Sequence, residues 1–390
     1  MKIILHLFMA CKTRLKFRSA NLPMKNILIL ANSISGLFSF RKEVVQALIE
    51  KGYKVYISVP NGEKDKEQFF VDNGCTLIFH NIDRRGTNPL KDLKLLHNYC
   101  KIIKTINPIT ILTYTIKPNI YGGIAARINK VPQLANITGL GSSLNGTGWI
   151  SRFSLFLYKL GLSKSHTVFY QNQMIKTFCE KNYIGKNGIL LPGSGVNLDW
   201  HTYHPYPSEE SVITFLFIGR IMKDKGIEEF LAMAKYIRLK YGNVAFHILG
   251  GCEENYQSIL NELQNDGILK WHGNVSDIRP YIKSAHCTIL PSYHEGMANV
   301  LLETCAAGRP VIASNISGCK EAVDDGINGF LCEVRNIESL KEKVEVFINL
   351  NHKDKEQMGL LARKKVEKEF DRQIVVKEYL KEIEKCYKNN

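Results

Sequence analysis

The sequence predicts an α/β protein with two doubly wound, Rossmann-like domains. Its 390 residues are enough for two domains that each bury a hydrophobic core. From residue 24 onward, short apolar runs alternate with amphipathic stretches, as expected for parallel strands joined by crossover helices. The alternation pauses at Pro192-Gly-Ser-Gly and restarts at Val212, which indicates a second domain.

The alternation is clearest in the first half of the chain. Residues 33–40, which include Gly36, are expected to form a loop after the first strand, and residues 189–196 are expected to form the linker between domains. The predicted strands are 27–31, 54–59, 74–79, 110–114, 133–137 and 167–170, and the predicted helices are 41–51, 88–105 and 118–128.

These elements divide the chain into a first domain at 24–195, a second at 196–370 and a final helix at 371–390. Residues 1–23 differ from the rest, because a short apolar run is followed by Lys12, Arg14, Lys16 and Arg18. This segment fits either a basic anchor on a membrane surface or an upstream start codon. A strand follows Met24 directly, which favours the second explanation.

The excess positive charge lies in the first half. Residues 1–200 contain 27 Lys and Arg against 10 Asp and Glu, whereas residues 201–390 contain 25 against 27. A basic half implies an anionic partner, and no nucleic-acid-binding motif is recognisable, so we expect an anionic membrane surface and a phosphorylated substrate. Lys91, Lys94, Lys101 and Lys104 could contact lipid phosphates. The aromatic helix at 149–160 could lie on a bilayer or be an ordinary core helix.

The cysteines and the hydropathy of the sequence indicate what kind of protein this is. The ten cysteines show neither C-x-x-C nor zinc-ligand spacing, so we expect reduced thiols, a cytoplasmic location and no metal site. No apolar run approaches the roughly 20 residues that a membrane-spanning helix needs.

The segment Ser292-Tyr-His-Glu-Gly-Met-Ala-Asn-Val-Leu-Leu-Glu303 is the most informative in the chain. It follows a predicted strand and opens a predicted helix, whose free N–H groups favour an anion. Glu303 lies about two turns into this helix. It could accept hydrogen bonds from sugar hydroxyls beside Glu295, or it could be an ordinary solvated residue.

A second motif lies upstream, where a buried strand ends at Gly219-Arg220 and a helix begins after Lys225-Gly226. Arg220 offers a planar fork of donors and Lys225 a mobile point charge, which together suit a diphosphate. Glycines allow close backbone approach. Both motifs fall at carboxyl ends of strands, where open α/β sheets bind ligands.

Taken together, the two motifs resemble the donor domain of the retaining GT-B glycosyltransferases of family 4. The match continues in order through Gly273-Asn-Val-Ser-Asp277, Ala306-Ala-Gly-Arg-Pro310, Gly318-Cys-Lys-Glu321 and Asp325-Gly-Ile-Asn-Gly-Phe330. Segments of the first half, such as Asn136-Ile-Thr-Gly-Leu-Gly, are similar to a bacterial subgroup. That subgroup builds O-antigen, capsule or glycoprotein glycans on undecaprenyl diphosphate.

The resemblance implies two domains facing a cleft, with the final helix returning to the first domain. It implies catalytic roles for Glu295, Arg220 and Lys225. The implied nucleotide-sugar-binding residues are Gly36, Gly219, Arg220, Lys225, Glu295, Gly296, Met297, Ala298, Asn299 and Glu303. The implied acceptor-binding residues are Lys117, Asn119, Thr138, Arg84 and Arg85. Many family members carry a histidine in the acceptor loop where this chain has Lys117, so no general base is assigned.

The expected function is transfer of a hexose-type sugar, with N-acetylhexosamine or uronic acid plausible, from a UDP-sugar to a polyprenyl-diphosphate-linked saccharide, with retention. Arg220 and Lys225 would stabilise the departing diphosphate without a metal or other cofactor. The expected location is the inner face of the cytoplasmic membrane. Two alternatives remain, a nucleotide-sugar 2-epimerase of GT-B fold and a non-catalytic scaffold that binds nucleotide sugars.

Overall fold

A computed structural model describes residues 25–82, 88–139 and 148–388. The predicted N-terminal extension at 1–23 and the predicted acceptor residues Arg84 and Arg85 lie outside these ranges. The described chain forms two parallel sheets with helices packed against them. The predicted α/β class with two doubly wound units is therefore confirmed.

The first sheet has seven parallel strands in the order β3-β2-β1-β4-β5-β6-β7. The strands are β1 (Asn26–Leu30), β2 (Lys54–Val59), β3 (Thr76–Phe79), β4 (Thr110–Tyr114), β5 (Gln133–Ile137), β6 (Thr167–Tyr170) and β7 (Gly188–Leu190). Its helices are α1 (Ile34–Glu50), α2 (Lys64–Asp72), α3 (Pro89–Ile106), a π-helical turn (Pro118–Gly122), α4 (Gly123–Ile128), α5 (Trp149–Leu162) and α6 (Gln173–Lys181).

The second sheet has six parallel strands in the order β10-β9-β8-β11-β12-β13. The strands are β8 (Ile213–Ile218), β9 (Val244–Leu249), β10 (Lys270–Trp271), β11 (Cys287–Leu290), β12 (Val311–Ser314) and β13 (Gly329–Cys332). Its helices are α7 (Ile227–Lys240), α8 (Gln257–Asn265), α9 (Arg279–Ser284), α10 (Asn299–Ala306), α11 (Ile337–Asn349) and α12 (His352–Glu369), followed by α13 (Arg372–Lys388).

Each sheet reverses its strand order once, between β1 and β4 in the first and between β8 and β11 in the second. Ligands of open α/β sheets bind in the crevice beyond the carboxyl ends of the strands at such a reversal. In the second sheet, this point lies between the loop that carries Arg220 and Lys225 and the loop that carries Glu295.

Two predicted connections are wrong. Residues 34–40 are helical, because Ser33 caps α1 by accepting a hydrogen bond from the Gly36 N–H at 3.2 Å. Residues 188–190 form β7 and pair with β6, so the predicted linker at 189–196 begins too early. A short edge strand held by backbone hydrogen bonds leaves little hydrophobic pattern in the sequence.

Helix α13 returns to the first sheet, as expected. Val375, Val376, Tyr379 and Ile383 share one apolar core with strand β1 and helix α1. The predicted return of the final helix is thus confirmed. No helix within the described ranges is long and apolar enough to cross a membrane.

The connection between the two sheets is fixed by a buried ion pair. Arg372, at the start of α13, donates to both carboxylate oxygens of Glu43 on α1, at 3.0 and 2.9 Å. Its guanidinium also donates to the carbonyls of Gly195 and Ser39. A buried charge needs such partners, so this arginine joins α1, the connecting segment and α13.

Candidate active site

The loop after β8 is held tightly against the loop after β11. Gly226 has a φ of +70°, and a Cβ added there would lie 2.0 Å from the Pro291 carbonyl oxygen. The Tyr293 N–H donates to the Asp224 carbonyl at 2.8 Å, and the Tyr293 hydroxyl donates to Glu229 at 2.7 Å. Two glycine-dependent loops therefore form one unit at the strand reversal of the second sheet.

Each of the two predicted cations in this unit faces an acidic partner. Lys225 Nζ lies 2.5 Å from Glu295 Oε1, with both side chains mostly buried. Arg220 donates to Glu253 at 2.8 Å and is more than half exposed. The sequence motifs predict Lys225 and Glu295 in one site, and the structure brings these two residues together. Glu253, the partner of Arg220, was not predicted.

The start of α10 has free hydrogen-bonding capacity. The N–H groups of Gly296 and Met297 form no backbone hydrogen bond with the described residues, whereas the Ala298 N–H donates to the Gly318 carbonyl. Ser292 Oγ and Asn299 Oδ1 are buried without a partner among the described residues. Unpaired donors at a helix start favour an anion or polar hydroxyls.

Glu303 lies one turn further along α10, with a fifth of its side chain exposed. Its carboxylate is 4.0 Å from His201 Nε2. Burial raises the pKa of Glu303 to about 7, against the opposing effect of Arg372. Burial also lowers the pKa of His201 to about 4, so this histidine is neutral near pH 7.

A cavity of about 380 Å³ adjoins this pair. Trp200 and His201, from the segment between the two sheets, line it together with Asp277 and Arg279. The Arg279 guanidinium stacks 3.6 Å from the Trp200 ring centre and donates to Asp277 at 2.8 and 2.7 Å. His201, Trp200 and Arg279 are not predictable as site residues, because nothing in their spacing relates the segment at 200 to the loop at 277.

The first sheet meets this unit at Thr138, just beyond β5. A Cβ added to Gly296 would lie 2.1 Å from the Thr138 carbonyl oxygen, so the two backbones are in direct contact. Asn172 Nδ2 donates to the Gly296 carbonyl at 2.5 Å. The predicted acceptor residue Thr138 and the predicted donor residue Gly296 thus come together.

The other described acceptor candidates have partners within the first domain. Lys117 is paired with Asp92 at 2.7 Å. Asn119 is fully buried, accepts from Thr113 and donates to the Asn136 carbonyl.

Gly36 lies in the first turn of α1, beside the strand reversal of the first sheet. In the described ranges, no three His, Cys, Asp or Glu side chains are placed to hold a metal ion.

Comparison with known families agrees with this two-domain arrangement. Residues 26–172 match the family described as glycosyl transferase 4-like, and residues 204–365 match the family described as glycosyl transferases group 1. The chain is therefore a glycosyltransferase with a domain of one of these families in each half, and its two sheets have the GT-B fold of solved glycosyltransferases.

Two bacterial relatives show similarity over nearly the whole chain. One is the N,N'-diacetylbacillosaminyl-diphospho-undecaprenol alpha-1,3-N-acetylgalactosaminyltransferase of Campylobacter jejuni, 26% identical over 92% of this chain and 98% of the relative. Another is the capsular polysaccharide biosynthesis glycosyltransferase CapM of Staphylococcus aureus, 28% identical over 86% of this chain and 90% of the relative.

Solved structures share the fold at lower identity. A glycosyltransferase from Rickettsia africae superposes with a TM-score of 0.76 at 20% identity, covering 94% of this chain and all of that one. HepE from Anabaena, solved with UDP and glucose, superposes with a TM-score of 0.74 at 15% identity, covering 93% of this chain and all of that one.

Proposed function

We propose that this glycosyltransferase moves a hexose-type sugar from a UDP-sugar to an undecaprenyl-diphosphate-linked saccharide during surface polysaccharide assembly, with retention at the anomeric carbon. One observation carries the proposal. The loop with Lys225 and Glu295 lies at the strand reversal of the second sheet, and its neighbour Gly296 touches Thr138 of the first domain. A donor bound at this loop would present its sugar to the first domain.

The names of the relatives support the choice of substrates. The Campylobacter jejuni relative acts on a diphospho-undecaprenol saccharide. An Escherichia coli relative, UDP-Gal:alpha-D-GlcNAc-diphosphoundecaprenol alpha-1,3-galactosyltransferase, is 25% identical over 69% of this chain and 74% of the relative. HepE binds UDP. We propose an N-acetylhexosamine or a uronic acid as the transferred sugar, because the resembled subgroup uses such donors.

The leaving group is a diphosphate, and the proposed reaction depends on stabilising it. The bond from the anomeric carbon to the UDP oxygen breaks, the acceptor oxygen bonds to the same face of that carbon, and the acceptor proton leaves with the diphosphate. Arg220 and Lys225 offset the charge that grows on the departing oxygens. Each such fixed donor typically accelerates the reaction by a factor of about 10²–10³. No metal or other cofactor is proposed.

The remaining residues hold the donor. Glu303 accepts hydrogen bonds from the ribose hydroxyls, and the free N–H groups at Gly296 and Met297 bind phosphate or sugar oxygens. In the free enzyme, Glu295 is paired with Lys225. When the donor diphosphate binds Lys225, the Glu295 carboxylate is released and binds the donor sugar. Contact between the two domains at Thr138 limits access of water to the donor.

The basic first domain supports a location on the inner face of the cytoplasmic membrane, where a lipid-linked acceptor and a cytoplasmic nucleotide sugar are both available. Positive charge in the first half complements an anionic membrane surface. No nucleic-acid partner is proposed.

The test uses the purified full chain with bacterial membranes and a panel of labelled UDP- and GDP-sugars. We expect label from one UDP-sugar to enter the organic-extractable lipid, and we expect EDTA to leave the rate unchanged. Glu303→Ala should abolish transfer. Glu262→Ala, the same substitution at an exposed helical position of the second domain, is the matched control and should retain full activity.

Three results would contradict the proposal. Transfer that survives Glu303→Ala would remove this residue from the site. Donor conversion without any lipid would indicate an epimerase, and tight UDP binding without transfer to any lipid would indicate a scaffold. Nuclear magnetic resonance of the product would report the anomeric configuration, and inversion would refute retention.

A further inference from the structure

The two faces of the first sheet are covered by different sets of helices. Ile27 and Ile29 of β1 pack into the core with α1 and α13, whereas Leu28 and Leu30 pack into the core with α3 and α4. Alternate residues of a strand point to opposite faces, so these helix sets lie on opposite sides. Helix α5 contacts α4 and the π-helical turn, both of which also contact α3, so α5 lies on the same side of the sheet as α3.

Charge differs sharply between these sides. Residues 88–165, which include α3, α4 and α5, contain ten lysines and arginines but one acid, Asp92. Residues 34–72, which include α1 and α2, contain six of each sign. Asp92 is itself bound to Lys117 Nζ at 2.7 Å and to the Tyr121 hydroxyl at 2.8 Å. The α3–α5 side therefore has strong positive charge that its own acid does not balance.

Large apolar side chains are exposed on this same basic side. Leu90 and Leu93 are 77% and 61% exposed near the start of α3. Phe153 and Phe156 are 54% and 58% exposed on α5. Each pair is spaced i, i+3, so each helix presents one apolar stripe outward. The exposed cations Lys94 and Arg152 lie next to these stripes in sequence.

Exposed leucine and phenylalanine stripes flanked by cations are typical of helices that lie in a membrane interface. Anionic headgroups would bind the lysines and arginines, while the apolar side chains enter the headgroup boundary. A protein partner of balanced charge would leave this positive surface uncompensated. The charge of the α3–α5 side therefore favours an anionic bilayer as its occupant.

We propose that the surface formed by Leu90, Leu93, Lys94, Arg152, Phe153 and Phe156, here called the docking face, binds the anionic surface of a lipid bilayer. This inference deepens the proposed function, on which it rests for the lipid-linked acceptor. Both helices begin on the carboxyl side of the first sheet, the side on which Thr138 meets Gly296. Docking here keeps the opening of the site close to the headgroups.

The experiment measures cosedimentation of the full chain with vesicles of phosphatidylcholine, alone or mixed with phosphatidylglycerol. We expect binding only to the anionic vesicles, weakening with salt. Two double variants test the docking face, Phe153→Ser with Phe156→Ser and Lys94→Glu with Arg152→Glu. Each should weaken binding by roughly tenfold or more, because apolar burial and surface charge each contribute.

Matched controls lie on the second domain. Leu239 of α7 is 77% exposed, so Leu239→Ser removes an equally exposed apolar side chain elsewhere. Lys353→Glu reverses an exposed charge on α12. Neither should change vesicle binding. Circular dichroism melts of all variants should coincide with that of the parent protein, because every altered side chain is exposed.

Several outcomes would overturn the docking face. These are no binding to anionic vesicles, equal losses in the controls, or double variants that bind like the parent. Sedimentation velocity tests whether a second copy of the chain occupies this surface instead. If the parent protein is a dimer, and the variant with Phe153→Ser and Phe156→Ser is a monomer that still binds vesicles, the surface serves self-association.

A second readout separates this proposal from the proposed function. With a water-soluble acceptor, a short isoprenoid diphosphate saccharide, the docking-face variants should transfer sugar at the parent rate. With the same saccharide on a vesicle-embedded lipid, they should be at least tenfold slower. If neither the parent protein nor the variants transfer sugar, but vesicle binding still depends on the docking face, the proposed function fails and the docking face is retained.

Discussion

Replacing Gly226 by alanine tests whether the two loops of the candidate site must touch. The added Cβ would lie 2.0 Å from the Pro291 carbonyl oxygen, and real Cβ atoms essentially never approach closer than 3.0 Å. The loop after β11 must therefore retreat by about 1 Å, the difference between these distances. Because Lys225 precedes Gly226 and Glu295 follows Pro291 by four residues, their ion pair moves too.

Gly267 provides the matched control. Its φ of +69° nearly equals the +70° of Gly226, but a Cβ added there meets nothing within 4 Å. Alanine in this left-handed conformation costs about 1–2 kcal/mol at either position. Gly226→Ala adds the clash, and a shift of about 1 Å near reacting groups costs about 10²-fold in rate.

The assays are urea unfolding and sugar transfer from the donor identified in the membrane test. Gly267→Ala should lose about 1–2 kcal/mol of stability with full activity. Gly226→Ala should lose at least about 1 kcal/mol more, and its kcat should fall about 100-fold. Equal stability losses together with unchanged kcat for Gly226→Ala would refute the reasoning, because the contact with Pro291 would then be dispensable.

Three further predictions follow from the same geometry. Lys225→Met should lower kcat by about 10²–10³, because a donor to the departing diphosphate is lost, whereas Lys223→Met, two residues away, should change kcat less than twofold. Because burial raises the pKa of Glu303 to about 7, its charged form is lost as pH falls, so UDP affinity measured by calorimetry should drop between pH 8 and pH 6 by up to about tenfold. Glu303→Gln should remove that pH dependence, and an unchanged profile would contradict the assignment. Arg372→Met should cost about 3–5 kcal/mol in urea unfolding by leaving the buried carboxylate of Glu43 without its cationic partner, and adding Glu43→Gln should recover part of the loss. Additive losses in this double-mutant cycle would show that the ion pair is not coupled.

The parts of this fold that the sequence predicted are those that follow from local pattern. Apolar runs such as 110–114 and 133–137 coincide with β4 and β5, because a buried parallel strand is apolar on both faces. The start of α1 was missed because Ser33 is an N-cap whose effect depends on the Gly36 N–H, and Ser-rich segments resemble loops.

The candidate site was predictable only where its residues lie close in sequence or belong to a recognised motif. Lys225 and Glu295 were assigned to one site because both follow strands that end at the same edge. The pairing of Arg220 with Glu253 and the approach of His201 to Glu303 depend on how the domains and loops pack. A single sequence contains no periodic signal for such long-range contacts.

The return of α13 to the first domain has a consequence for how the chain reaches its native state during synthesis. Val375, Tyr379 and Ile383 are part of the core around β1, although they are translated after the whole second domain. The first domain cannot complete its own core until α13 has emerged from the ribosome, so this domain is unlike one that folds unaided during synthesis. A fragment ending near residue 195 should therefore aggregate, and fusing residues 372–388 to it should restore solubility.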